Sequence, residues 1–280
     1  MGNVIPEVTL NDGMTLPVVG LGTYLIRGNT GVNSLLSALD LGYRLIDAAY
    51  NYENEGTIGE AVRRTSVPRE QLRITSKLPG RYQEYDKAVS TIQESLYRAG
   101  LDYYDLYLIH WPNPSQDNYV EAWQALIDAK KWGLIRSIGV CNFLPEHIDR
   151  LEKETGVLPS VNQIELHPFF NQEEQRNYHA EKGIITESWS PLTRGIREIQ
   201  LPELQQIAEK HNKTIVQVVL RWHYQLGAVS IPKSAAAVRQ LDNISLFDFS
   251  LDEADMSIIS GLSFPEGRIA NQDPAFYEEF

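Results

Sequence analysis

The chain has 280 residues, 42% of them hydrophobic, and its 25 basic and 37 acidic residues leave a net charge of −12. That length and apolar content suffice for a full buried core, while the acidic balance disfavours nucleic-acid or anionic-membrane partners, whose phosphates would repel it. Cys141 is the only cysteine, so no intrachain disulfide can form, as expected for a protein of a reducing compartment.

The opening Met1-Gly-Asn-Val-Ile-Pro6 lacks the basic and apolar regions of a secretory leader, and no apolar run reaches the roughly 18 residues of a spanning helix. These features predict a cytoplasmic protein; it is expected to be monomeric or weakly dimeric. Next, short β-type runs flank Asn11-Asp12-Gly13, a hairpin signal. Short apolar runs then recur at residues 18–21, 45–49, 72–78, 106–110, 138–141, 161–166, 183–189 and 229–232. Runs this apolar suit strands buried on both faces, as in a parallel sheet. Between them lie helical spacings such as Val89, Ile92, Leu96 and Val120, Trp123, Ile127. Gly100, Gly133, Gly156, Gly183 and Gly227 stand where such helices would end. No linker or shift of composition divides the chain. The pattern predicts one α/β domain over residues 1–280, a (β/α)₈ barrel preceded by a β-hairpin. Gly20-Leu-Gly22 begins like a dinucleotide fingerprint, but Leu25 stands where its third glycine belongs, so no Rossmann site is assigned.

Polar residues interrupt the runs at their carboxyl ends, where barrel enzymes carry their sites. Asp47 ends one run, Lys77 another and His110 a third, and Tyr52 follows shortly after Asp47. A buried Asp and Lys are costly unless they pair with each other. A lysine cation beside a phenol favours phenolate, against an ordinary tyrosine pKa of about 10. Asp47 would hold Lys77 charged, and His110 could turn a carbonyl oxygen towards Tyr52. The set is suited to protonating oxygen; hydride would have to come from a cofactor.

At this point the chain resembles the aldo-keto reductases. The resemblance runs through Gly20-Leu-Gly-Thr23, Asp47-Ala-Ala-Tyr-Asn-Tyr-Glu-Asn-Glu55, Ile74-Thr-Ser-Lys77, Asp105-Leu-Tyr-Leu-Ile-His-Trp-Pro112, Ser137-Ile-Gly-Val-Cys-Asn-Phe143, Val161-Asn-Gln-Ile-Glu-Leu-His-Pro168 and Ile231-Pro-Lys-Ser234, in family order. The short stretch after Trp111 and the short tail are similar to the compact microbial branch that includes 2,5-diketo-gluconate reductases. The resemblance implies NADPH-dependent reduction of an aldehyde or ketone, with Asp47, Tyr52, Lys77 and His110 as the catalytic set and Tyr52 as proton donor. It places Cys141, Asn142 and Gln163 on the nicotinamide carboxamide, Trp189 against the nicotinamide ring, and Ser190 and Leu192 along the pyrophosphate. Thr23 and Tyr24 would lie near the nicotinamide ribose, and Tyr24, Asn51 and Trp111 at the substrate. Lys233, Ser234 and Arg239 would clamp the adenosine 2′-phosphate, and Asp242 and Asn243 would contact adenine. Two positions depart from the family: Cys141 replaces the usual serine, and Ala236 removes a hydroxyl from the 2′-phosphate clamp.

The cations have a physical reading beside the resemblance. Lys233 and Arg239 follow an apolar run in an acidic protein, and a guanidinium and an ammonium together recognise phosphate, favouring NADPH over NADH. Rival readings are a Schiff-base aldolase using Lys77, and a non-catalytic NADP(H)-sensing barrel. His147, His179 and His211 fall in helical segments expected to be exposed, His223 in a packing helix, and His167 before Pro168 as a structural residue. None has metal-ligand spacing. Cys141 reads as a buried, inert thiol. Glu278 and Glu279 read as solvated charge.

Overall fold

A computed structural model of the chain describes residues 5–194 and 200–280. Residues 1–4, which bear on the reading of a leader, lie outside them. Strands β1 (Glu7–Thr9) and β2 (Thr15–Pro17) pair antiparallel around the Asn11–Gly13 turn. Then follow β3 (Leu21–Gly22), α1 (Gly28–Leu41), β4 (Leu45–Asp47), α2 (Glu55–Arg64), β5 (Arg73–Leu78), α3 (Tyr85–Ala99), β6 (Tyr104–Ile109) and α4 (Tyr119–Lys131). The chain continues through β7 (Ile135–Cys141), α5 (Pro145–Thr155), β8 (Val161–Glu165), α6 (Glu173–Lys182), β9 (Ile185–Trp189) and β10 (Pro191–Arg194). It ends with α7 (Pro202–His211), α8 (Ile215–Gln225), β11 (Val229–Ser230), α9 (Ala237–Ile244) and α10 (Glu253–Ser260).

Eight strands form one parallel sheet in the order β11-β9-β8-β7-β6-β5-β4-β3. Parallel bridges Val19–Ser230 and Gly22–Lys233 join its two ends. The Ser230 amide donates to the Val18 carbonyl at 3.0 Å and the Gly20 amide to the Ser230 carbonyl at 2.8 Å. The sheet is thereby closed into a (β/α)₈ barrel. The expected strand at 18–21 is reduced to Leu21–Gly22 plus these bridges, and its backbone crosses its neighbours very closely. A Cβ on Gly20 would sit 2.5 Å from Leu45 Cγ, and one on Gly22 2.6 Å from the Ile231 carbonyl oxygen. Only glycine permits such an approach.

Strand alternation sorts side chains between two cores. In β6, Leu106 and Leu108 join Leu45, Val161 and Val229 inside the barrel. The intervening Tyr107 and Ile109 pack outward with Ile92, Leu96 and Trp123 of α3 and α4. The hairpin closes the amino-terminal end: Leu10 and Leu16 belong to the interior cluster, and Arg73 Nε donates to the Thr15 carbonyl at 2.8 Å. Helix α3 ends where Gly100 takes a left-handed conformation (φ 61°), which satisfies its last carbonyls.

The helical histidines differ from expectation. His179 is fully buried in α6 and bonds Asn162, Gln175 and Thr186; His147 is buried at the start of α5 and receives the Leu144 amide; His211 contacts Asp255 at 2.7 Å. A buried imidazole with partners on both nitrogens is a satisfied core group. Burial pushes His179 down to about 3, so it is held neutral. His223 packs against Trp222 and His167 against Glu165, both fully enclosed.

Candidate active site

Following the alternation to the carboxyl end of the barrel gives the site directly. Two residues beyond Leu45 the inward position is Asp47, beyond Thr75 it is Lys77, and beyond Leu108 it is His110. In the same way Val161 leads to Gln163, and Ile185 to Glu187 and Trp189.

Lys77, with no exposed surface, donates to Asp47 Oδ1 at 2.7 Å and to the Ala48 carbonyl at 2.8 Å. Burial alone would push the lysine down, but the Asp47 charge and hydrogen bond outweigh it and hold the ammonium firmly protonated. The second Asp47 oxygen accepts from Gln163 Nε2 at 2.9 Å. The other Gln163 N–H meets Glu187 Oε2 at 2.7 Å. Both donors of that amide are therefore used, leaving its oxygen free to accept. Burial, with Asp47 nearby, pushes Glu187 up to about 8.

Tyr52 ends a 3₁₀ turn (Tyr50–Tyr52) that reverses at Glu53 (φ 53°), bringing the phenol back over Asp47 and Lys77. Lys77 Nζ lies 5.0 Å from its ring centroid. The His110 ring is 6.0 Å away edge-on, and Tyr24 packs at 5.2 Å. The sequence reading made the phenol unusually acidic; the structure differs. Burial pushes Tyr52 up to about 12, and the Lys77 charge recovers only part of that rise. At neutral pH the residue is a phenol beside a fixed cation. That also disfavours a Schiff-base role for Lys77, which would need a free amine.

These groups open into a cavity of about 810 Å³. Thr23, Tyr24, Asn51, Tyr52, His110 and Trp111 line it, together with Asn142, Gln163, Trp189, Ser190 and Leu192. Lys233, Ser234, Arg239, Asp242 and Asn243 line it as well. Thr23 Oγ1 donates to the Asp47 carbonyl at 2.7 Å, fixing β3 to β4. Asn142 turns the chain out of β7 at a positive φ of 60°. Its amide donates to the His110 carbonyl at 3.0 Å, and its oxygen accepts from Trp189 Nε1 at 2.8 Å, which sets the indole plane. Cys141 stands apart from these: its thiol is fully buried and does not line the cavity, and burial pushes it well up. Among the described residues, Lys233 and Arg239 make no salt bridge, and both line the cavity. Asp242 receives Thr214 Oγ1 at 3.1 Å, and Asn243 is buried beneath the same wall.

The tail supplies what the sequence reading missed. Glu279, taken for solvated charge, is buried: Oε1 lies 2.7 Å from both His110 Nδ1 and Asn51 Nδ2, and Oε2 accepts from the Gly80 amide at 2.9 Å. Glu278 receives the Ser115 amide at 2.7 Å. Tyr277 packs on Trp111 at 4.4 Å and also lines the cavity. Asn51, which also receives Arg81 at 2.7 Å, bridges the tail to the 3₁₀ turn. Glu187 stands two residues before Trp189 on the same face of β9, so the two-residue alternation of the strand leads to it.

The profile of the Aldo/keto reductase family matches residues 19–263. The chain is 50% identical over 275 residues to 2,5-diketo-D-gluconic acid reductase B of Corynebacterium sp. (strain SHS752001), covering 98% of this chain and 99% of that one. It is 42% identical over 268 residues to the methylglyoxal reductase DkgA of Escherichia coli (strain K12), covering 95% and 96%. Among solved structures, a mutant of Gox0644 in complex with NADPH superposes with a TM-score of 0.93 at 40% identity, covering 98% of this chain and 99% of that one.

Proposed function

Because the chain belongs to the aldo/keto reductase family, we propose that it uses NADPH to reduce small, oxygen-rich aldehydes and ketones to alcohols, with Tyr52 as proton donor. The observation that carries the assignment of roles is the buried Lys77–Asp47 pair under Tyr52, with His110 across the same opening. The names of two relatives, one for a diketo acid and one for methylglyoxal, support that substrate class.

The donor set fits NADPH. Among the described residues Lys233 and Arg239 form no salt bridge, which suits them to the 2′-phosphate, and Ser234 lies between them in sequence. Trp189 presents an indole clamped by Asn142, and the Gln163 oxygen is the acceptor left for a carboxamide N–H. When bound, the cofactor supplies hydride for the carbonyl carbon. Everything else falls to the chain. His110 orients the carbonyl oxygen, and Trp111 and Tyr277 form an apolar wall against which the substrate is held away from water. Tyr52 delivers its proton as negative charge grows on that oxygen. The elevated phenol pKa keeps the proton loaded beforehand, and the Lys77 ammonium stabilises the phenolate left behind. Asp47 acts through Lys77, and Gln163 and Glu187 through Asp47. All four central residues come from one chain, so a monomer or weak dimer suffices; the acidic surface and lone buried thiol support a cytoplasmic setting. Among the described residues, no helix is long and apolar enough to cross a membrane.

A panel of aldehydes, α-dicarbonyls and hydroxyketones, followed by loss of NADPH absorbance, tests the reading. Turnover of several members is expected, with NADPH preferred to NADH. An enzyme that binds NADPH and reduces none of them would refute it.

A further inference from the structure

The alternation of β9 turns Glu187 and Trp189 inward and Ser188 outward, towards α8. There Ser188 meets His223, a fully buried imidazole that the chemistry above does not use. His223 Nε2 lies 3.1 Å from the Pro191 carbonyl, and Nδ1 lies 3.0 Å from Ser188 Oγ. A carbonyl can only accept, so Nε2 carries a hydrogen. Burial pushes His223 down to about 3, against the pull of the Pro191 carbonyl. The ring is therefore neutral, and Nδ1 accepts from the Ser188 hydroxyl. One side chain thus ties β9 to the backbone beyond Trp189.

That backbone is strained. Ser190 and Thr193 both stand in the left-handed region, at φ 50° and 59°, and the Thr193 amide donates to the Ser190 carbonyl at 2.9 Å. Such conformations are unfavourable for residues with a side chain and persist only where the surroundings hold them. Ser190, Pro191, Leu192 and Thr193 all line the cavity, whereas His223 does not. The Trp189 indole has its own support in Asn142. Lys233 and Arg239 are carried by other elements: Lys233 bridges Gly22, and Arg239 stands on α9.

We propose that His223 is a positioning residue for the cofactor, which holds segment 190–193 in the shape that receives the pyrophosphate without touching the cofactor itself. The proposal rests on the reading of that segment as the pyrophosphate path and of Lys233 and Arg239 as the 2′-phosphate clamp. Released from His223, the segment visits other conformations, and affinity falls by the fraction of time it spends in the receptive one. A receptive fraction of about one tenth weakens NADPH by about tenfold.

Adenosine 2′-phosphate carries the adenine and the 2′-phosphate but no pyrophosphate. Binding of NADPH, by quenching of tryptophan fluorescence, and of adenosine 2′-phosphate, by calorimetry, is measured on the full chain in wild type, His223→Leu, His223→Asn and His223→Gln. Leucine removes both hydrogen bonds, asparagine is too short to reach the Pro191 carbonyl, and glutamine keeps an N–H at that distance. The Kd for NADPH is expected to rise about tenfold in His223→Leu and His223→Asn and to stay within about threefold in His223→Gln, while that for adenosine 2′-phosphate stays within about threefold throughout. An unchanged NADPH affinity in either of the first two, once folded, overturns the proposal. So does an equal loss for both ligands, which would mark a general loosening of the fold. Wild type that binds neither ligand would instead overturn the cofactor reading.

Discussion

Breaking the Asp47–Lys77 pair from one side should cost more than removing it altogether. Lys77 has no exposed surface and Asp47 is 1% exposed, so either charge left alone is stranded in the barrel. In Lys77→Met, Asp47 keeps only the Gln163 amide as a side-chain donor; in Asp47→Asn, Lys77 keeps the Ala48 carbonyl and half of its former partner. Each single change should destabilise the fold by about 3–5 kcal/mol, the usual cost of an uncompensated buried charge. For a chain of this length that corresponds to a melting temperature lower by roughly 6–20 °C. The double variant Asp47→Asn/Lys77→Met buries no ion and should cost about 2–3 kcal/mol less than the sum of the singles. Urea unfolding followed by tryptophan fluorescence measures all four proteins. Additivity within about 0.5 kcal/mol would show that the pair is not electrostatically coupled, and the account of how Lys77 stays charged would fail.

Glu187→Gln tests the acid behind Gln163. The folded carboxyl keeps its proton up to about pH 8, whereas the unfolded one loses it near the ordinary value of about 4.3. Below that lower value both states are protonated and the group is neutral for stability; as pH rises, the unfolded state ionises first and wild type loses ground until about pH 8. The variant's advantage in unfolding free energy, measured in urea, should therefore grow between about pH 5 and 8 and level off above, on the order of a few kcal/mol; a gap independent of pH would contradict it. Arg239→Ala should raise the KM for NADPH by roughly ten- to hundredfold, the worth of a charge-assisted phosphate contact, while that for NADH moves little. Equal effects on both cofactors would remove the 2′-phosphate argument.

The barrel and the central residues were legible in the sequence for one reason. Polar groups at the ends of apolar runs stand out, and two-residue alternation then carries them to one face. Gln163 came from the family resemblance instead, and the same alternation carried further along β8 and β9 leads to Gln163 and Glu187. It could not place Glu279, whose partners Asn51, Gly80, His110 and Asn113 come from other loops, far away in sequence. Nor could it find the buried face of α6, which is built from Gln175 and His179 at helical spacing rather than from apolar residues. A search for hydrophobic periodicity reads such a helix as exposed, because its core contacts are hydrogen bonds. Tyr52 is less acidic than its neighbour suggests for a related reason: the sequence identifies the adjacent cation, but not how thoroughly the phenol is removed from water.

Tyr52→Phe bears most directly on the central claim, since it removes one hydroxyl and preserves the ring that packs on Tyr24 and His110. NADPH affinity, measured by fluorescence titration, should stay within about threefold of wild type, while carbonyl reduction falls by about 10²-fold or more, the contribution of a positioned acid. Reduction persisting near the wild-type rate, with cofactor binding intact, would mean that the proton reaches the carbonyl oxygen from another group.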